Sequence, residues 1–342
     1  MHKLFSVMFF SAIAATAFAV NPGVDPGPGQ RYATDAYPGF DLDDANLKPE
    51  VKEPRWFAWI NGPKKENAKD QYAWCRACEA EGELSKACKG YDALVREWPT
   101  APEAAPSQLR YAELLLEDLD YIEAFKAYRY LLDFYASACD FSAVVDKMYQ
   151  VAELMREEGK TIMFFRFANT TEVRHAYESL VLRAPGAAFV RAAMLTIAGL
   201  REEDDQLPEA VEVYENLMNL YPKSDEARTA AFANARVRMQ LVRRHEYNRN
   251  RVRDTADYLR LTLKNVALDE AQTAEVKGWI AEAEALMENE AWKGAAFYDS
   301  RTRTRRSAIN ALTVFLMDYP DGVHADEARA RLAELKNGEA NQ

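Results

Sequence analysis

One arrangement of apolar residues recurs along the chain and predicts most of its structure. It is clearest in the segment AVEVYENLMNLYP, whose marked positions are Ala210, Tyr214, Leu217, Tyr221 and Pro222. The first four have offsets 0, 4, 7 and 11, which lie on one face of a helix with 3.6 residues per turn. Proline at offset 12 is a helix stop signal. The segment therefore predicts an amphipathic helix that buries one face.

The same offsets recur in five further segments. They are Ala87, Tyr91, Leu94, Trp98, Pro99; Ala124, Tyr128, Leu131, Tyr135, Ala136; Val173, Tyr177, Leu180, Ala184, Pro185; Ala308, Leu312, Phe315, Tyr319, Pro320; and a degenerate match at Thr255, Leu259, Thr262, Val266, Ala267. Equivalent positions lie 37 residues apart twice, at 99 to 136 and at 185 to 222. A helix-turn-helix unit of the tetratricopeptide class has roughly 34 residues. The pattern predicts an all-α tetratricopeptide-type solenoid of about five to six repeats, whose neighbouring pairs share one core.

The expected helix pairs follow from this register. We assign them to residues 66–98, 105–135, 140–184, 187–221 and 224–266, with an insertion near 160–171 in the third pair. A long helix from Asp269 to about Ala296, a helix at 303–319 and a closing helix from Ala325 to Lys336 complete the repeat domain at 66–338. Strand signals are nearly absent.

The first 19 residues have the composition of a secretory signal peptide. Lys3 precedes a short apolar run that ends in Ala-Phe-Ala, which predicts cleavage between Ala19 and Val20. The alternative is an uncleaved membrane anchor, although the apolar run is short for a span. Because the first cysteine is Cys75, no lipidated cysteine is expected at the cleavage point. The expected location is the periplasm, with no membrane span.

Residues 20–65 are rich in proline and glycine and predict an extended arm. Trp56, Phe57, Trp59 and Ile60 form an aromatic cluster within this arm. We expect the cluster to cap the first repeat, and contact with a partner protein is the alternative.

Charge and motifs narrow the function classes. The formal net charge of −11 disfavours nucleic acid or anionic lipid as a partner of the whole surface. The sequence contains no G-x-S-x-G, H-E-x-x-H or phosphate-binding loop. We expect no enzyme activity, no cofactor and no metal site.

The cysteines allow three readings. Trp74-Cys75-x-x-Cys78 resembles a thiol-redox motif, but that motif needs a βαβ context and here lies in a repeat helix. Cys78 and Cys88 flank the turn at Gly82, so a disulfide between them is one expectation for an oxidising compartment. Unpaired buried thiols are the other.

Arginines are concentrated near the end of the chain. Seven lie between positions 236 and 253, and four lie between 301 and 306. Arginine suits bidentate contacts with carboxylates. We select as candidate docking residues for an acidic partner Arg243, Arg244, Arg249, Arg251, Arg253, Arg303, Arg305 and Arg306. A solvated helix face with ion pairs between repeats is the alternative.

Several segments resemble the BamD-like outer-membrane assembly proteins. The clearest are Ala296-Phe297-Tyr298, the run from Ala308 to Pro320, and Glu327-Ala328 with Leu332. The resemblance covers about 68–336 and implies a non-enzymatic scaffold that binds outer-membrane assembly components or unfolded barrel peptides. The resemblance implies that the first repeats contact the unfolded barrel substrates and that the last repeats contact the assembly partners. The family members carry a lipid anchor on a cysteine at the cleavage point. This chain has no cysteine there, and it also contains the proline-rich arm at 20–65. Another periplasmic adaptor of the cell envelope or division machinery is therefore the alternative.

Overall fold

The computed structural model describes residue 52 and residues 62–158, 170–244, 248–300 and 305–340. Within these ranges the chain forms thirteen α-helices, one short 3₁₀ turn and no β-strand. The helices are α1 (Ala68–Ala80), α2 (Leu84–Glu97), α3 (Ala104–Glu117), α4 (Tyr121–Tyr135), α5 (Phe141–Glu158), α6 (Thr170–Arg183), α7 (Val190–Glu203), α8 (Leu207–Leu220), α9 (Asp225–Arg244), α10 (Arg249–Asn265), α11 (Glu270–Ser300), α12 (Arg305–Asp318) and α13 (Ala325–Ala340). The predicted all-α class of the tetratricopeptide type is confirmed. The predicted signal peptide, its predicted cleavage site at Ala19 and Val20, and the aromatic cluster of the predicted arm lie outside the described residues.

The helices fall into two compact units that divide after Pro222. In unit 1, helices α1 to α8 form four consecutive antiparallel pairs, and each helix contacts the next one along the chain. Unit 2 contains helices α9 to α13, and consecutive helices contact each other there as well. The pairs occupy the ranges that the apolar register predicts.

The recurring register is the core of both units. All eighteen side chains at offsets 0, 4 and 7 of the six segments are buried, and none is more than 4% exposed. The degenerate match is included, because Thr255, Leu259 and Thr262 are as buried as their counterparts. The Thr262 hydroxyl donates to the Tyr258 carbonyl at 3.0 Å, which satisfies a polar group on this otherwise apolar face.

The tyrosines of the register also make recurring hydrogen bonds. At offset 4, the hydroxyls of Tyr177 and Tyr214 donate to Glu153 and Glu202 on the preceding helix, each at 2.6 Å. At offset 11, the Tyr135 hydroxyl donates to the carbonyl of Pro99, which ends the register one repeat earlier. These bonds explain why tyrosine rather than phenylalanine occupies such positions, since a partly buried hydroxyl needs a partner.

The tight turn inside three helix pairs uses one left-handed residue at the same register position. Gly82, Leu119 and Asp205 have φ values of 78°, 61° and 62° and each lies five residues before offset 0. In each turn the next amide donates to the carbonyl five residues earlier: Glu83 to Cys78, Asp120 to Leu115, and Gln206 to Arg201, at 2.8 to 2.9 Å. This bonding is the Schellman motif, which satisfies carbonyls at the end of the first helix.

The turn geometry predicts opposite effects of two substitutions. Gly82→Ala should lower the free energy of unfolding by about 1 kcal/mol, and Leu119→Gly should raise it by about 1 kcal/mol, because positive φ disfavours residues with a Cβ. Gly186→Ala is the matched control, since an added Cβ there meets no atom within 4 Å and its φ is not in the left-handed range. Denaturant unfolding followed by circular dichroism measures all three. Equal effects of the Gly82 and Gly186 changes would contradict the explanation.

Helix α11 has 31 residues and serves two clusters of side chains within unit 2. Its first half contributes Val276, Trp279 and Ala283 to a core with α9 and α10. Its second half places Ala295 against side chains of α12 and α13. A helix of this length, about 45 Å, is long enough to support both clusters.

Candidate functional site

The most specific polar site in unit 1 encloses a lysine side chain from the predicted arm. The Lys52 ammonium lies 2.8 Å from Asp92 Oδ1 on α2 and 3.0 Å from Gln108 Oε1 on α3. It also lies 4.4 Å from the ring centroid of Tyr111 and 5.1 Å from that of Tyr130, on α3 and α4. We call these four acceptor and ring residues the lysine pocket. The first two repeats therefore bind an ammonium through two oxygen acceptors and two aromatic rings.

Both acceptors of the lysine pocket are held in place by other bonds. Arg96 donates its Nε to the second Asp92 oxygen at 2.8 Å, which leaves Oδ1 directed at the ammonium. Gln108 donates its Nε2 to the Ala127 carbonyl at 2.7 Å, so its oxygen points the other way, into the pocket. Gln108 is fully buried and Asp92 is 4% exposed. The acceptors are therefore oriented by the repeat scaffold.

The charge on the pocket follows from two opposing effects. Burial raises the pKa of Asp92, but the positive charges and hydrogen bonds of Lys52 and Arg96 outweigh it, and the net pKa of Asp92 is lowered. Burial, followed by the charge of Asp92, raises the pKa of Tyr111. At neutral pH the pocket therefore presents one carboxylate and neutral aromatic faces, which is an environment that favours a cation.

The sequence alone does not indicate the lysine pocket. Its members are scattered over residues 92 to 130 and form no motif. One repeated signal was available, however. Gln71 and Gln108 each lie 19 residues before the carbonyl to which they donate, at Gly90 and Ala127. The same register position therefore holds a buried glutamine in both repeats, and the oxygen of Gln108 accepts from the Lys52 ammonium.

All four cysteines are free thiols, so the structure does not contain the predicted Cys78–Cys88 disulfide. Ala87 faces α1 in the core of the first pair, and Cys88 is rotated from it by about 100° around α2. Burial is the largest cause that raises the pKa of both thiols, and nearby carboxylates add to it: Asp92 and Asp118 at Cys88, and Glu83 and Glu81 at Cys78. Cys78 is a buried member of the core cluster of the first pair, and Cys88 packs against that cluster as a partly buried side chain.

The thiols of the WCxxC segment are expected to be poorly reactive. Burial is the largest cause that raises the pKa of Cys75 to about 12, and burial also raises the pKa of Cys78. At pH 8 the thiolate fraction of Cys75 should be at least about a hundredfold lower than that of a free cysteine. Alkylation with iodoacetamide, followed by peptide mass mapping, should therefore modify Cys75 at least about a hundredfold more slowly than glutathione. Rapid modification of Cys75 in the folded chain would instead favour the thiol-redox alternative.

The candidate docking arginines all belong to unit 2 or to undescribed residues. Arg243, at the end of α9, donates to both carboxylate oxygens of Glu282 on α11 at 2.8 and 2.6 Å, so it stabilises the unit internally. Arg244 is exposed at the same helix end, and Arg303 lies outside the described residues. At the start of α10, the side chains of Arg249, Arg251 and Arg253 are exposed.

The structure separates the two arginine groups. Arg305 and Arg306 begin α12, a helix of 14 residues and therefore about 20 Å long. Tyr319 directly follows the last residue of α12. Burial raises the pKa of Tyr319, and the positive charge of the nearby Arg249 opposes this increase. Arg249 thus lies near one end of α12, and Arg305 and Arg306 lie at the other. The arginines form two separate surfaces of unit 2, one on the α9–α10 hairpin and one at the start of α12.

A buried ionic cluster connects the third and fourth helix pairs of unit 1. Glu178 Oε1 on α6 accepts from Arg174 at 2.9 Å and from Arg201 on α7 at 3.1 Å. All three residues are at most 5% exposed. Arg201 also donates to Gln206 in the turn that follows α7. The cluster positions α6 against α7.

No group of three or more histidine, cysteine, aspartate or glutamate side chains in the described ranges is arranged to hold a metal ion. Across those same ranges, no helix combines the length and apolar character that crossing a membrane requires.

Comparison with known proteins gives little further information. No protein-family model matches the sequence, and no curated protein matches it. Among solved structures, the chain is similar to a tetratricopeptide repeat protein from Parabacteroides merdae ATCC 43184, with 14% sequence identity over 79% of this chain and 98% of that chain. The TM-score of this match is 0.27. The repeat architecture therefore rests on the buried register and the recurring turns.

Proposed function

We propose that this chain is a periplasmic, non-enzymatic scaffold that binds other proteins through surfaces of its helix repeats. The observation that carries the proposal is the repeated burial of offsets 0, 4 and 7. Each helix pair uses this face to pack against its neighbours, and its remaining faces form a surface of repeated units. Such a surface supplies many weak side-chain contacts to a bound polypeptide.

The more specific proposal is a BamD-like role in the assembly of outer-membrane β-barrel proteins. It is supported by the sequence resemblance in the last repeats. The exposed arginines Arg249, Arg251 and Arg253 on α10 support a contact with an acidic partner surface. Arg305 and Arg306 at the start of α12 form a second candidate contact surface.

Affinity capture from cross-linked envelope extracts tests this role. Recovery of barrel-assembly components or unfolded barrel proteins would support it. Recovery of cell-division or other envelope proteins without any barrel-assembly component would instead favour the alternative adaptor.

A charge-reversal variant tests the arginine surface of α10. The triple change Arg249→Glu, Arg251→Glu and Arg253→Glu should reduce recovery of the partner roughly tenfold, since three surface pairs together contribute about 1.4 kcal/mol. The matched control is Arg228→Glu with Arg329→Glu, because these exposed arginines pair with aspartates three residues earlier in their own helices. Equal recovery by the triple variant and the control would count against this surface.

A further inference from the structure

The lysine pocket has the features of a recognition site rather than of an incidental surface pair. Its carboxylate and amide acceptors are buried and are held in place by Arg96 and by the Ala127 carbonyl. Its two rings lie within cation–π distance of the same ammonium. By comparison, Lys86 pairs with Glu83 on the surface of the same repeat, and the Lys86 side chain is 62% exposed. The Lys52 side chain is 13% exposed.

The pocket is selective for an ammonium by its shape and its inventory of acceptors. A lysine head group is compact and has three donors, and two of them meet Asp92 and Gln108 here. A guanidinium is planar and wider, and has five donors in a fixed fork. Two acceptors and two rings leave most of those five donors without partners. Arginine is therefore expected to bind more weakly than lysine.

We propose that the lysine pocket is a binding site for a lysine side chain of a partner polypeptide, and that Lys52 fills it until the partner displaces the arm. This inference rests on the proposed scaffold function and names the chemistry of one of its contacts. Lys52 lies sixteen residues before α1, so its segment is covalently tethered beside the pocket. A tethered ligand has an effective concentration in the millimolar range, and it competes with any partner lysine. Lys52 is therefore an intramolecular competitor, and a partner lysine must bind the pocket tightly enough to displace it.

A short peptide titrated into variants of the full chain tests this inference. The probe is an acetylated and amidated peptide with the sequence of residues 49–54, PEVKEP, which contains a single lysine. The control peptide has norleucine in place of that lysine. Two-dimensional NMR measures dissociation constants in the millimolar range, which is appropriate for a ligand of this size.

The expected result is that Lys52→Ala binds the lysine peptide at least about tenfold more tightly than the wild type does. The norleucine peptide should bind Lys52→Ala at least about tenfold more weakly than the lysine peptide. Adding Asp92→Asn to Lys52→Ala should remove the preference for lysine. Adding Tyr111→Leu instead should weaken binding by roughly threefold to tenfold, and this variant keeps the Asp92–Arg96 pair if the Asp92→Asn chain fails to fold.

Lys86→Ala is the matched control, and it should bind the peptide as weakly as the wild type. Equal binding of the lysine and norleucine peptides to Lys52→Ala would overturn the inference, as would equal binding of the lysine peptide by wild type and Lys52→Ala. Failure of Lys52→Ala to bind the lysine peptide would also overturn it. Because the capture experiment uses the whole surface of the wild-type chain, partner recovery together with a negative peptide titration would reject the lysine pocket and retain the scaffold function.

Discussion

Replacement of Glu178 by leucine should lower the free energy of unfolding by about 3–5 kcal/mol. The Glu178 carboxylate is the common acceptor of Arg174 and Arg201, and the cluster is buried between α6 and α7. Removing it leaves two guanidinium groups in a region of low water content without their carboxylate partner. The cost is therefore mainly the desolvation of uncompensated positive charge, rather than the loss of two hydrogen bonds.

Two further variants separate the effect of charge from the effect of packing. Glu178→Gln keeps the size of the side chain and one acceptor, so it should cost less than Glu178→Leu. Replacing Arg174, Glu178 and Arg201 together by leucine, leucine and methionine should also be less destabilising than the single change, because no charge remains buried. Urea unfolding followed by circular dichroism provides these free energies.

The control for this series is Glu212→Leu on α8, an exposed glutamate in the same unit. A substitution at such a position should change stability by no more than about 0.5 kcal/mol. If Glu178→Leu were as mild as Glu212→Leu, the buried cluster would not contribute to the packing of α6 on α7.

The second large effect is expected in unit 2, where the register is degenerate. Leu259→Ala on α10 should lower the free energy of unfolding by about 2–5 kcal/mol. Leu259 is fully buried in a core with Ala256 and with Trp279 of α11, so alanine would leave a cavity. Leu261 lies two residues later on the same helix and is 55% exposed. Leu261→Ala should therefore change stability by less than about 0.5 kcal/mol.

Native-state hydrogen exchange of the α10 and α11 amides measures both leucine variants within unit 2. This readout is preferable to a single global transition, because the two compact units need not unfold together. Similar exchange rates in the two variants would mean that offset 4 of the sixth segment is not a core position, contrary to its burial.

Local periodicity was enough to predict the helices and their packing faces. The offsets 0, 4 and 7 identify buried residues even at Thr255 and Thr262, where apolar character is weak. Gly82 was recognised as a turn residue from its type and its place between helical segments, and its φ is positive in the structure. These properties depend on neighbours within one or two helical turns, so they can be read along the chain.

The functional contacts depend on long-range placement and could not be read in the same way. Lys52 reaches Asp92 across 40 residues, and no spacing rule joins an extended arm to a helix. Cys78 and Cys88 lie close in the sequence and border the same core cluster, yet both are free thiols. Among the candidate arginines, Arg243 is bonded to Glu282 whereas Arg249 faces solvent. Side-chain partners of this kind are set by how helices pack, because packing determines which groups lose contact with water and must find one another.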